Sequence, residues 1–275
     1  MRAFRSEWIK LSRRNTLLGF GGAMVGLTLL FTALAFLSVG GANVDLDGGQ
    51  SEAFVTASVL SLSDGSVFAI TNLASMLGVV ALALFASNMA GEFNKGTIRM
   101  LFVTEPNRIK VLAGKLAALT SFIVIGMAAT MAASIGIGAL LAPGAGVDTT
   151  AWWTTEGLAA IGTTYLNVTA AILVPGLVGA AIAVLTRSAA IAISVGAAYF
   201  ILGEALVSSF WDTLAEWGPS AVSNALAVGG TGGAGMMGGD APVIAYATAA
   251  ILALGYGLVS VAISSTVLAR RDVTS

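Results

Sequence analysis

Two residue types are absent from this chain: among its 275 residues there is no cysteine and no histidine. Without cysteine there is no disulfide, no thiolate nucleophile and no sulfur-ligated metal cluster to argue for. Without histidine, HExxH zinc sites, Ser–His dyads and His-ligated haem are excluded within the chain. Charge is the third shortage. Only 10% of residues are charged while 57% are apolar, whereas soluble domains carry about 25% charge. A soluble chain of this length would need more polar surface to cover its core, and a bilayer removes that requirement.

What is present is a series of long apolar runs. A membrane-crossing helix needs about 20 predominantly apolar residues. Six segments qualify, at roughly 16–39, 68–90, 117–141, 158–185, 189–210 and 243–268. The expectation is an all-α polytopic membrane protein with one transmembrane domain over 1–275. The first run, Leu17 to Val39, exceeds the 7–15 residues or so of a signal-peptide core and is read as a retained span. The runs around Thr186-Arg187-Ser188 are together too long for one crossing, so a tight turn is expected there.

The cations give the orientation. Arg2, Arg5, Lys10, Arg13 and Arg14 precede the first span, and Lys95, Arg99, Arg108, Lys110 and Lys115 fall between the second and third. Arg187 lies between the fourth and fifth, and Arg270 and Arg271 follow the sixth. All 13 therefore share one side. The opposite loops hold acids, namely Asp45, Asp47, Glu52, Asp64, Asp148, Glu156, Asp212, Glu216 and Asp240. The positive-inside rule places both termini in the cytoplasm. Trp152, Trp153, Trp211 and Trp217 fall near the opposite ends of spans, where an interfacial aromatic belt is expected.

Two segments on the basic side carry further information. Phe4, Trp8 and Leu11 share one helical face, with the N-terminal cations mostly elsewhere around the helix. That pattern fits an interfacial amphipathic helix, its apolar face in the headgroup boundary and its cations toward anionic lipid. A plain topology-setting basic flank fits it as well. The loop 91–116 has Ile98, Leu101 and Phe102 at helical spacing, with Pro106 placed to end that helix and open the next. It suits docking to a soluble partner, and it also fits an ordinary orienting loop.

The opening Ser6-Glu7-Trp8-Ile9-Lys10-Leu11, followed after the second span by Glu92-Phe93-Asn94-Lys95-Gly96-Thr97-Ile98-Arg99, resembles the ABC-2 type transporter permeases. In that family the stretch reads Glu, an aromatic, two polar residues, Gly-Thr, an aliphatic and Arg. A Pro-flanked turn and a basic start to the third span follow, matched here by Glu105-Pro106-Asn107-Arg108 through Lys115. The Pro-led outer segment Trp217-Gly218-Pro219-Ser220-Ala221 is also similar. The resemblance implies a permease of the bacterial cell membrane, closest to small drug and antimicrobial-peptide exporters. Such a permease works as a dimer, with a second copy or a paralogue, beside cytosolic ATPase subunits. Glu92, Phe93, Gly96, Thr97, Arg99, Glu105 and Arg108 would form the surface coupled to the ATPase. Phe4, Trp8 and Leu11 would belong to the entry helix, and the outer hairpin would lie between spans five and six.

The chain has no GxxxxGK[ST] motif, so ATP and Mg are expected on the partner ATPase and no cofactor in this chain. Within the spans, Glu204 is the acid that stands out, and an outer-gate role and a simple reach to outer water are both open. Asn72, Met76, Tyr199 and Phe200 complete the expected pathway, although amides in spans more often bond between helices. Pro175 is expected to kink the fourth span, and Gly22 with Gly26 forms a GxxxG. Two other classes remain as alternatives: an ion-coupled secondary transporter, and a non-transporting docking or immunity protein of the membrane.

Overall fold

The computed structural model describes residues 2–39, 55–94, 107–203, 206–207, 210, 217–230 and 244–270, and among them there are helices and turns but no strand. Helix α1 spans Arg2–Leu11. Helix α2, Arg14–Val39, contains a π-helical turn at Leu17–Gly21. Short helices α3, Ala57–Leu60, and α4, Phe68–Asn72, lead into α5, Ala74–Asn94. Helix α6, Arg108–Ala145, has 38 residues and is about 57 Å long at 1.5 Å per residue. Then come α7, Thr155–Thr186, and α8, Ala189–Ala198, which continues as a π-helical turn Tyr199–Gly203. Helix α9, Pro219–Ala227, and α10, Tyr246–Arg270, complete the described elements.

Side chains close these helices where the sequence provides them. Asn107, Thr154 and Ser188 each accept a hydrogen bond from a backbone N–H of the first turn, at the starts of α6, α7 and α8. The helix after Pro106 therefore opens on the Asn107 cap. Arg187, in left-handed conformation with φ 55°, ends α7, and Ser188 starts α8 at once. The turn expected at 186–188 is present.

Five of the described helices, α2, α5, α6, α7 and α10, are long and apolar enough to cross a membrane, where six spans were expected. The fifth expected span, 189–210, is described as continuous helix only over Ala189–Gly203, too short to qualify. The second is divided, because the backbone departs from α-helix at Leu73 and α5 begins at Ala74. Pro175 lies inside an uninterrupted α7.

Helix α7 is the central column. It is apolar all round and two-thirds buried, as expected for a helix enclosed by others. Its closest neighbour is α5, which runs in the same direction, Gly78 facing Pro175 and Leu82 facing Gly179. Helix α8 returns along both, so that Leu82 also enters the space left by Gly196. A Cβ on Gly179 would lie 2.8 Å from Leu82 Cγ, and one on Gly196 would lie 2.6 Å from Leu82 Cδ1. Small residues allow this approach in the bundle centre. By contrast, Gly22 and Gly26 face open space within the chain.

These pairings define two ends. Helices α5 and α7 finish at one of them, α6 begins there, α1 packs there, and α10 ends there. Every described Lys and Arg is at this basic end, while Asp64, Asp148 and Glu156 are at the other. At the far end Phe36, Val55, Leu60, Ala142, Val147 and Trp152 form their own apolar cluster. Trp152 is fully buried, and its Nε1–H donates to Leu60 O at 2.9 Å. It is therefore a core residue and not part of an aromatic belt, whereas Trp153 and Trp217 are exposed. The turn of 3-10 helix at Thr150–Trp153 sends the two adjacent indoles in different directions.

Candidate functional site

The densest polar arrangement among the described side chains sits at the basic end, where α1 meets the finish of α5 and the start of α6. Lys115 lies seven residues into α6, about 10 Å from its first residue. Apolar neighbours on that helix, Val111, Leu112, Ala118 and Leu119, are buried around it, and its own side chain is only 5% exposed. Its Nζ donates to Asn88 Oδ1 at 2.9 Å and to Asn88 O at 3.2 Å, joining α6 to α5. The same ammonium faces Glu7 Oε2 at 3.3 Å, joining α6 to α1. Glu7 Oε1 accepts from Lys10 at 2.7 Å, while Oε2 has the ion pair but no hydrogen bond.

Isolated charges are not left buried at this depth, because desolvation costs several kcal/mol per ion and must be offset by partners. Glu7, itself 4% exposed at its side chain, meets that condition through Lys10 and Lys115. Helix α1 is seated closely as well. A Cβ on Gly114 would lie 2.7 Å from Ala3 Cβ, so the helices touch backbone to backbone at that point.

This seating changes the reading of α1. Its inward face is Ala3, Glu7 and Leu11, a stripe at i, i+4 and i+8 that carries a carboxylate, with Glu7 and Leu11 buried and Ala3 partly so. Leu11 is 2% exposed and belongs to the main core, so it does not face the headgroup boundary with Phe4 and Trp8. Phe4 and Trp8 stack on the flank, centroids 6.0 Å apart and planes 10° from parallel. Phe4 stays exposed and Trp8 is partly buried against the core. Arg5, Arg13 and Arg14 are on the outer surface.

The other expected residues divide into groups. Glu92 and Phe93, read from sequence as part of a loop, have backbones in the last turn of α5. Gly96, Thr97, Arg99 and Glu105 lie outside the described residues, as does Glu204. Arg108 opens α6 and donates through a guanidinium N–H to Leu268 O at 2.8 Å, tying α6 to the last turns of α10. On either side of segment 95–106, Asn88 ties α5 to α6 and Arg108 ties α6 to α10.

The pathway residues are not gathered into one group. Asn72 donates to Phe68 O of its own helix, and Met76 is 43% exposed on the surface of α5. Tyr199 and Phe200 meet edge to face at 5.7 Å in the π-helical turn after α8. Two further amides work between elements: Asn167 accepts from the Tyr246 hydroxyl at 2.8 Å, and Asn224 accepts from Ser75 at 2.5 Å. The second of these ties the buried α9 to the start of α5.

Glu7 and Lys115 are the pair that inspection of the sequence did not join. The available signal was local. Lys115 follows Val111-Leu112-Ala113-Gly114 and precedes Leu116, an apolar setting for a cation, and Glu7 shares a face with Ala3 and Leu11.

A family described as a protein of unknown function (DUF2705) matches residues 47–274, more than half of the chain. The chain belongs to the DUF2705 family. The match covers Asn88, Arg108 and Lys115 of this DUF2705 protein, and Glu7 precedes it. No curated protein matches the chain.

Proposed function

We propose that this DUF2705 protein is the permease subunit of an ATP-driven ABC-2 type exporter in the bacterial cell membrane, with both termini cytoplasmic. It would form the translocation pathway as a dimer and take its energy from separate cytosolic ATPase subunits. One observation carries the reading. Segment 95–106, which contains most of the Gly-Thr/Arg motif, connects two apolar helices that Lys115 and Asn88 join directly. Force applied there by a closing ATPase would reach α5 and α6 together, and α10 through Arg108. Five apolar helices of crossing length supply the membrane domain such a subunit needs.

The test is a pull-down from detergent-solubilised membranes, comparing the native chain with a Glu92→Lys/Arg99→Glu double variant. Co-purification of an ATPase with the native chain, and its loss or uncoupling in the variant, is the expected result. Absence of any ATPase in gentle detergent overturns the proposal and brings forward the docking-protein or secondary-transporter classes.

A further inference from the structure

We infer that Lys115 is a positioning residue that latches α1 to the α5–α6 junction, so that α1 moves with the coupling segment instead of resting independently in the headgroup layer. The coupling half of this inference rests on the proposed function; the latch itself does not. Three observations converge on it. Lys115 bridges two helices at once, with Asn88 on one side and Glu7 on the other. Glu7 is buried on the inner stripe of α1, where Lys10 and Lys115 balance its charge. Gly114, adjacent to Lys115, leaves Ala3 room to approach to contact distance. Apolar contact alone would not require an acid on the buried stripe. A carboxylate there makes docking conditional on the cation opposite, because a helix that seats without Lys115 leaves buried Glu7 only partly compensated, by the half-exposed Lys10 of its own helix.

Because the chain has no cysteine, one introduced thiol reports the latch in the full-length protein. Leu11→Cys places it on the buried stripe, and Ser12→Cys is the exposed control. Maleimide labelling of vesicles should be about tenfold slower at position 11 than at position 12, since it must wait for local opening. Lys115→Met should erase that difference, and adding Glu7→Gln should restore it, because no charge is then left stranded. Gly114→Ala, which alters no charge, should speed labelling by wedging the helices apart. If Lys115→Met does not accumulate, Lys115→Gln serves in its place and should speed labelling, because it too removes the cation facing Glu7. Slow labelling in Lys115→Met or Lys115→Gln, or no recovery in the double variant, overturns the latch.

The coupling half is read on a co-purified ATPase. Gly114→Ala should lower kcat with KM for ATP unchanged and with the ATPase still bound. An unchanged kcat despite faster labelling overturns the coupling half alone. Absence of any ATPase refutes the proposed function while labelling still decides the latch.

Discussion

The two ends of α6 are secured by opposite means. At its start, Lys115 and Arg108 reach three other helices through charge-assisted contacts, to Asn88, Glu7 and Leu268 O. Near its finish, Ala142 and the following Val147 pack with Phe36, Leu60 and Trp152, with one indole hydrogen bond among them. Apolar packing depends on shape and is lost by changing volume, whereas a buried ion pair depends on its partner being present. The comparison separates a permanent joint from a conditional one on a single helix. The conditional joint is at the end from which the proposed coupling segment departs.

The largest expected effect is at the permanent joint. Trp152→Ala should cost about 3–5 kcal/mol, through lost transfer energy and the cavity left behind. The check is the midpoint of denaturant unfolding in detergent, and a change under 1 kcal/mol (roughly the loss from a single methylene) would undo the assignment of this cluster as a structural joint. Next is Lys115→Met, expected to cost about 3 kcal/mol by taking the buried cation from Glu7 and leaving it only the half-exposed Lys10. Glu7→Gln on that background should return most of the loss, whereas no single polar change should rescue Trp152→Ala. A thermodynamic cycle over positions 7 and 115 gives the answer, and additive effects would make the two ends alike.

Arg108→Ala should cost about 1–2 kcal/mol by removing a charged donor from the end of α10. Faster amide exchange confined to the last turns of α10 is its expected signature. The smallest effect belongs to Asp148, beside the apolar cluster and fully exposed. The Thr150 backbone N–H holds its carboxyl below the ordinary 3.8, with the Thr150 hydroxyl adding to this. Its contribution is therefore complete above that ordinary value and is lost as pH falls through the lower folded value. Asp148→Asn should lower stability slightly at neutral pH and flatten the acid limb of an unfolding profile, the two curves converging once the carboxyl is protonated.

Much of the bundle was legible in the sequence because length and apolarity decide crossing helices with little help from partners. Helices α2, α6, α7 and α10 follow from that, and the turn at Arg187 follows from an apolar run too long for one crossing. Among the described residues the cations share one end, as the one-sided charge distribution led us to expect, while Lys95, Arg99 and Arg271 lie outside them. What was hidden depended on partners. Nothing in Glu7 says that it faces Lys115, 108 positions away, and Trp152 and Trp153 look identical until a 3-10 turn separates them. The 98–102 stripe expected to dock a partner lies outside the described residues.

The socket around Leu82 has a consequence for how relatives of this chain can vary. Gly179 and Gly196, from two different helices, each leave room for the same side chain, and the nearest backbone atom to a Cβ at 179 would be the carbonyl oxygen of Leu82 itself, at 2.9 Å. Trimming Leu82 alone would leave a void, and enlarging either glycine alone would force helices apart. Positions 82, 179 and 196 therefore change together or not at all. In an alignment of DUF2705 sequences these three columns should co-vary as one inherited unit, although nearly a hundred residues separate the first from the second.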